Sequence, residues 1–160
     1  MEISLETLGK NLDMMKRLIF SAVFIEENKL ETALNRNMKD ITSKQWLLLV
    51  IASSFPEPPS LTEVGQQMGC SRQNVKKIAS ILEKNGYIEL KDNLRENRAT
   101  CIIIKEKFKE FSEAMEKDTE KVFSILYKGF TEDQIKEFYK FTCMFSKNID
   151  DLGNYFMEKK

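Results

Sequence analysis

Apolar residues recur at spacings of three and four over residues 4 to 37. Leu5, Leu8, Leu12, Met15, Ile19 and Ala22 begin the series, and Ile25, Leu30 and Leu34 extend it. The spacing predicts one long amphipathic helix. Leu18 and Val23 widen its apolar surface beyond a single stripe, and a helix of this length near a chain end favours packing on a partner. A second helix opens at Thr42, where Thr42 and Gln45 have the spacing of a capping box. Trp46, Leu47, Leu48, Leu49, Val50 and Ile51 follow. They are apolar nearly all round the helix, which predicts a central, buried element. Phe55-Pro56-Glu57-Pro58-Pro59 stops it, because proline cannot continue a helix.

The next stretch predicts two short helices around a tight turn. Ser60 and Glu63 make a second capping box, and Leu61, Val64 and Met68 supply an inward face. Gly65 falls where crossing helices would touch, and Gly69 where the chain must turn sharply, since glycine accepts positive φ. Ser71 caps the second helix, and Asn85-Gly86 ends it. Val75, Ile78 and Leu82 point inward, leaving Arg72, Gln73, Asn74, Lys76, Lys77 and Ser80 outward. This is a helix-turn-helix. The period then switches to two: Tyr87 to Lys91 alternates, as does Ala99 to Ile104, around a polar tip from Asp92 to Arg98. A hairpin directly after a helix-turn-helix predicts a winged helix.

Two more helices follow. One runs from Lys105 to Lys128 with Phe108, Phe111, Met115, Val122, Phe123 and Leu126 as its apolar positions, and Gly129 stops it. The other opens at a third capping box, Thr131 with Gln134, and carries Ile135, Phe138, Phe141, Phe145, Ile149 and Leu152. An aromatic stripe of this kind reads as a core or a dimer interface. The fold class is therefore mainly α, an α+β winged helix between a long N-terminal helix and two C-terminal helices.

Charge sharpens the picture. The 160 residues balance 25 cations with 25 acids. Residues 61 to 105 hold eight cations against five acids, while the flanking segments are slightly acidic. The positive charge gathers on the helix-turn-helix and hairpin, where a nucleic-acid footprint would sit. Other chemistry is sparse. Histidine is absent, which removes His-based acid–base catalysis and the commonest zinc ligand. Cys70, Cys101 and Cys143 form no CxxC pair and suit a reducing cytoplasm. No signal peptide, membrane span, nucleophile–base pair, phosphate loop or metal cluster is legible, so neither an enzyme nor a cofactor is expected.

Element order and motifs together resemble the MarR family of winged helix-turn-helix transcriptional regulators, from about Leu8 to Leu152. Ile41-Thr42-Ser43-Lys44-Gln45-Trp46-Leu47-Leu48-Leu49 is similar to the family's second helix. Leu61 to Ile88, ending Leu-Glu-Lys-Asn-Gly-Tyr-Ile, is similar to its paired helices. Glu96-Asn97-Arg98-Ala99 is similar to its wing, with Arg98 in the place of the wing-tip arginine; Glu96 replaces the usual aspartate and Asn97 a cation.

The resemblance implies a single MarR-type subunit over residues 1–160. Residues 41–105 would be the DNA-binding lobe, and 1–37 and 106–160 a helical dimerisation region. It implies a homodimer on a pseudo-palindromic double-stranded operator, a repressor released or modulated by a small-molecule effector. Ser71, Arg72, Gln73, Asn74, Lys76 and Lys77 are the expected recognition-helix contacts. Amides and arginine read base edges in a major groove, and lysines take phosphates. Arg95, Asn97 and Arg98 are the expected wing contacts, with Arg98 entering a narrow minor groove. Met14, Met15 and Trp46 lie on elements that flank the family's effector pocket, and serve equally well as core. Cys70, just before the recognition helix, reads as a small buried hydrophobe or as an oxidation sensor. The competing function is a winged-helix module that binds protein rather than DNA and need not keep the cations of the helix and wing.

Overall fold

The computed structural model describes residues 11–93 and 99–159. Helix α1 spans Leu12–Asn35, α2 Ser43–Ser53, α3 Leu61–Gln67 and α4 Arg72–Lys84. Strands β1 (Ile88–Asn93) and β2 (Ala99–Ile104) follow, then α5 (Glu106–Leu126) and α6 (Glu132–Glu158). The expected order of elements is present. Leu5 and Leu8, assigned to the first helix from spacing, lie outside the described residues. The chain divides into two compact units, Met1–Glu110 and Phe111–Lys160.

The first unit is built on the helix-turn-helix. Leu48, Leu49 and Ala52 of α2 are buried with Leu61 and Val64 of α3, and with Val75, Ala79 and Leu82 of α4. Tyr87, Ile88, Ile102 and Phe108 complete this core. Each large apolar side chain so buried stabilises by about 1.5–3 kcal/mol, so the lobe holds the bulk of the hydrophobic stabilisation. The run from Trp46 to Ile51 is not buried all round. Leu47 is 40% and Val50 36% exposed, and Trp46 is half-buried. An apolar run shows that a helix seeks cover; it does not say that the same chain supplies it on every side.

The hairpin is antiparallel, in register from Ile88↔Ile104 to Asn93↔Ala99. β2 has a second neighbour that the periodicity did not reveal. Ser60 bridges to Cys101, and the Pro59 carbonyl accepts from the Ile102 N–H at 2.8 Å. Pro59 has no N–H to offer a further strand, which suits this outer position. The chain leaving α2 is thereby tied to the wing. At the other side of the lobe α2 is tied to α1: Lys44 Nζ lies 3.0 Å from Glu31, and the Ser43 N–H donates to Asn35 Oδ1 at 2.7 Å. The bond to Glu31 pushes the Lys44 ammonium above the ordinary lysine range.

In the second unit the turn between α5 and α6 is knitted by aromatic contacts. Ring centroids lie 6.2 Å apart for Phe123–Tyr127, 6.1 Å for Tyr127–Phe130 and 6.2 Å for Phe130–Phe138. Gly129 takes a φ of 89°, and the Thr131–Gln134 box opens α6. None of the 27 residues of α6 is buried, nor is any of the 24 of α1.

Candidate nucleic-acid interface

Two glycines set the start of α4. Gly69 adopts φ 63°, so α3 closes with the Cys70 N–H on the Gly65 carbonyl at 2.9 Å and the Gly69 N–H on the Gln66 carbonyl at 3.3 Å. This is the Schellman pattern, which turns the chain within two residues. Gly65 is required for a different reason. A Cβ there would lie 2.8 Å from the backbone oxygen of Cys70, so only a hydrogen lets α3 and the turn approach. Ser71 then caps α4, its Oγ accepting the Asn74 N–H at 3.3 Å.

With Val75, Ala79 and Leu82 buried, the opposite face of α4 is fixed toward solvent. Ser71, Arg72, Gln73, Asn74, Lys76, Lys77 and Ser80 are all exposed, as their spacing predicts. Among the described residues no acid pairs with Arg72, Lys76 or Lys77. A surface depression of about 440 Å³ runs along this face, lined by Gln73, Lys76, Lys77 and Ser80. The Ser80 hydroxyl donates back to the Lys76 carbonyl at 2.9 Å, which engages it with its own helix.

The far end of α4 is held by bonds that spacing does not disclose. Gly86 takes φ 80°; its N–H reaches the Glu83 carbonyl at 2.9 Å and the Tyr87 N–H the Leu82 carbonyl at 3.0 Å. The Glu83 carboxylate accepts the Leu90 N–H of β1 at 2.7 Å. Lys107 Nζ donates to the Asn85 carbonyl at 2.8 Å and stands 4.5 Å over the Tyr87 ring. Burial, aided by the negative charge of Asp40, pushes the Tyr87 hydroxyl above its ordinary range. The side-chain partners, Glu83 with Leu90 and Lys107 with Asn85, are seven or more residues apart in sequence, so only the folded lobe brings them together.

The other expected site residues divide by place. Arg95, Asn97 and Arg98 lie outside the described residues; the strands leading to them are held by the Thr100 hydroxyl donating to Asp92 at 3.0 Å. Met14 and Met15 stand partly exposed at the start of α1. Trp46 sits two residues past Lys44, which pairs with Glu31, and Met15 precedes Glu31 by roughly 24 Å of helix axis. One chain does not gather the three side chains. Cys70 is half-buried at the turn, Cys101 buried and Cys143 exposed. Among the described residues no cluster of His, Cys, Asp and Glu gathers to hold a metal, and no helix is long and apolar enough to cross a membrane.

No family model and no curated protein sequence matches the chain. Solved structures do. A MarR/EmrR family transcriptional regulator from Acinetobacter sp. superposes with a TM-score of 0.75 at 18% identity, over 86% of this chain and 98% of that one. A MarR protein from Peptoclostridium difficile gives 0.75 at 18% identity, over 83% and 88%. The chain has the MarR-type winged-helix fold. A third neighbour with this MarR-type architecture is the organohalide-sensing transcriptional regulator RdhR in its 2,4-dichlorophenol-bound form, at TM-score 0.71 and 15% identity, over 84% and 80%. At these identities it is the MarR-type backbone that is shared, with the side chains of α4 this chain's own.

Proposed function

We propose that the protein is a sequence-specific regulator of transcription that binds double-stranded DNA as a homodimer. The observation that carries the reading is the solvent face of α4: Arg72, Lys76 and Lys77 are unpaired among the described residues and interleave with Gln73 and Asn74 on a helix anchored by Val75, Ala79 and Leu82. Lysines take phosphates, while arginine reads guanine and amides read adenine in the major groove. Arg95, Asn97 and Arg98 supply the wing, with Arg98 in the minor groove. The MarR/EmrR family neighbour from Acinetobacter and the organohalide-sensing RdhR are transcriptional regulators, which supports the same reading.

The bare apolar faces of α1 and α6 support a homodimer. Phe20 and Phe24 of α1, and Phe138, Phe141 and Ile149 of α6, are each half or more exposed. Two-fold symmetry places half-sites about 10–10.5 bp apart, or a multiple of that, which makes the operator a pseudo-palindrome. The action is repression, modulated by a small apolar or aromatic effector, as the phenol held by the RdhR structure suggests. Trp46 with Met14 and Met15 forms its site, and the distance within one chain means that different copies contribute them.

The test is selection of duplexes from random or genomic DNA by the purified protein, followed by titration across salt. The expected result is one enriched inverted repeat, with affinity falling linearly on a log–log salt plot as counterions are released. Failure to bind any duplex at low salt overturns the reading and leaves the protein-binding module in its place.

A further inference from the structure

We propose that Lys107 is a positioning residue for DNA recognition: from the first turn of α5 it clamps the C-terminal end of α4 and so sets the angle at which Arg72, Gln73 and Asn74 meet a duplex. The proposal rests on the reading of α4 as the DNA-reading helix. Three features of Lys107 carry it. Its ammonium bonds the Asn85 carbonyl, 2.8 Å away, at the negative end of the α4 dipole, where a cation is stabilising. It stands 4.5 Å over the Tyr87 ring, within range of a cation–π attraction. Tyr87 is itself buried in the lobe core, so the clamp has a fixed floor.

The remaining bonds at this end are complementary. The Schellman turn at Gly86 already engages the carbonyls of Leu82 and Glu83, and Lys107 takes that of Asn85. Glu83 holds the other flank through the Leu90 N–H of β1. At its start α4 is fixed by the turn at Gly69, and at its end by Lys107 and Glu83. A rod pinned at both ends does not pivot. Lys107 sits beside Asn85, roughly 20 Å of helix axis from Arg72, so it acts through the helix and not on the same stretch of DNA.

The test compares wild type with Lys107→Met, Lys107→Arg and Lys76→Ala, all full-length, by fluorescence anisotropy on a wild-type-selected duplex and a random one across a salt series. Lys107→Met is expected to weaken the selected duplex about three- to tenfold, the size of coupling that packed networks transmit, with the random duplex nearly unchanged. The slope of log affinity against log salt stays at the wild-type value, and Lys107→Arg, which keeps a cation able to donate, restores binding to within about twofold. Lys76→Ala weakens both duplexes and flattens the slope by about one ion. Lys107 is exposed, so Lys107→Met is expected to melt only slightly below the wild type and Lys107→Arg with it, and binding is read well below either melt, which separates positioning from folding. Equal affinity of Lys107→Met and wild type on the selected duplex overturns the clamp. A flattened slope overturns it too, because Lys107 would then be a phosphate contact. Wild-type protein that binds no duplex is a separate failure, of the reading of α4 itself.

Discussion

Gly65 and Gly69 are four residues apart and required for different reasons. The Cβ of an alanine at 65 would meet the Cys70 carbonyl oxygen at 2.8 Å, and that oxygen belongs to backbone which can yield only by opening the turn. At Gly69 nothing lies within 4 Å, so the constraint is φ alone. Gly65→Ala is therefore expected to cost about 1–3 kcal/mol, the range for overpacking, read as a lowered urea midpoint. Gly69→Asn should cost less, since asparagine accepts the left-handed region more readily than other residues with a Cβ. Equal losses at the two sites would refute the distinction. Both positions and both reasons, close approach at Gly65 and positive φ at Gly69, were legible in the sequence; what was not is the atom that Gly65 meets, because the Cys70 carbonyl reaches it only once the turn is folded. The same limit hid Glu83 and Lys107: each looks like an ordinary surface charge until its partner's place is known.

At the scale of elements, three helices open with capping boxes, and all three were legible because the motif is local, a hydroxyl three residues before a carboxylate or amide. Thr42–Gln45 and Thr131–Gln134 close with amides, and Ser60–Glu63 with a carboxylate. Only the last titrates. The Ser60 N–H and hydroxyl hold Glu63 below its ordinary value of 4.5. A depressed folded value means the added stability is present above pH 4.5 and is lost as pH falls through the folded value. Glu63→Gln keeps an acceptor but cannot ionise. Wild type should exceed this variant in urea midpoint at neutral pH, and the gap should close as the solution is acidified; a pH-independent gap would remove the carboxylate from the account. Element burial was harder to read. The apolar run of α2 suggested complete enclosure, yet Leu47 and Val50 face outward. The Pro59–Ser60 arm against β2 escaped notice because two residues carry no periodicity.

At the scale of the molecule, the lobe has a packed core, while α1 and α6 bury no residue at all. Helices of 24 and 27 residues studded with phenylalanine are stable in water only when an apolar face is covered. The expected solution mass is twice the 18.7 kDa of the chain. Phe141, 58% exposed in one chain, should be among the residues covered. Phe141→Glu is expected to shift sedimentation toward the single-chain mass while the far-ultraviolet spectrum keeps its helical shape; a wild type that sediments as one chain would end the dimer proposal. In the two-stranded sheet β1 is paired by a strand on one side only, and such an edge is a template for strands of other molecules. The carboxylate of Glu83, seated on the Leu90 amide, already occupies one rung of that edge. The same bond that steadies α4 thus guards the protein against sticking to itself.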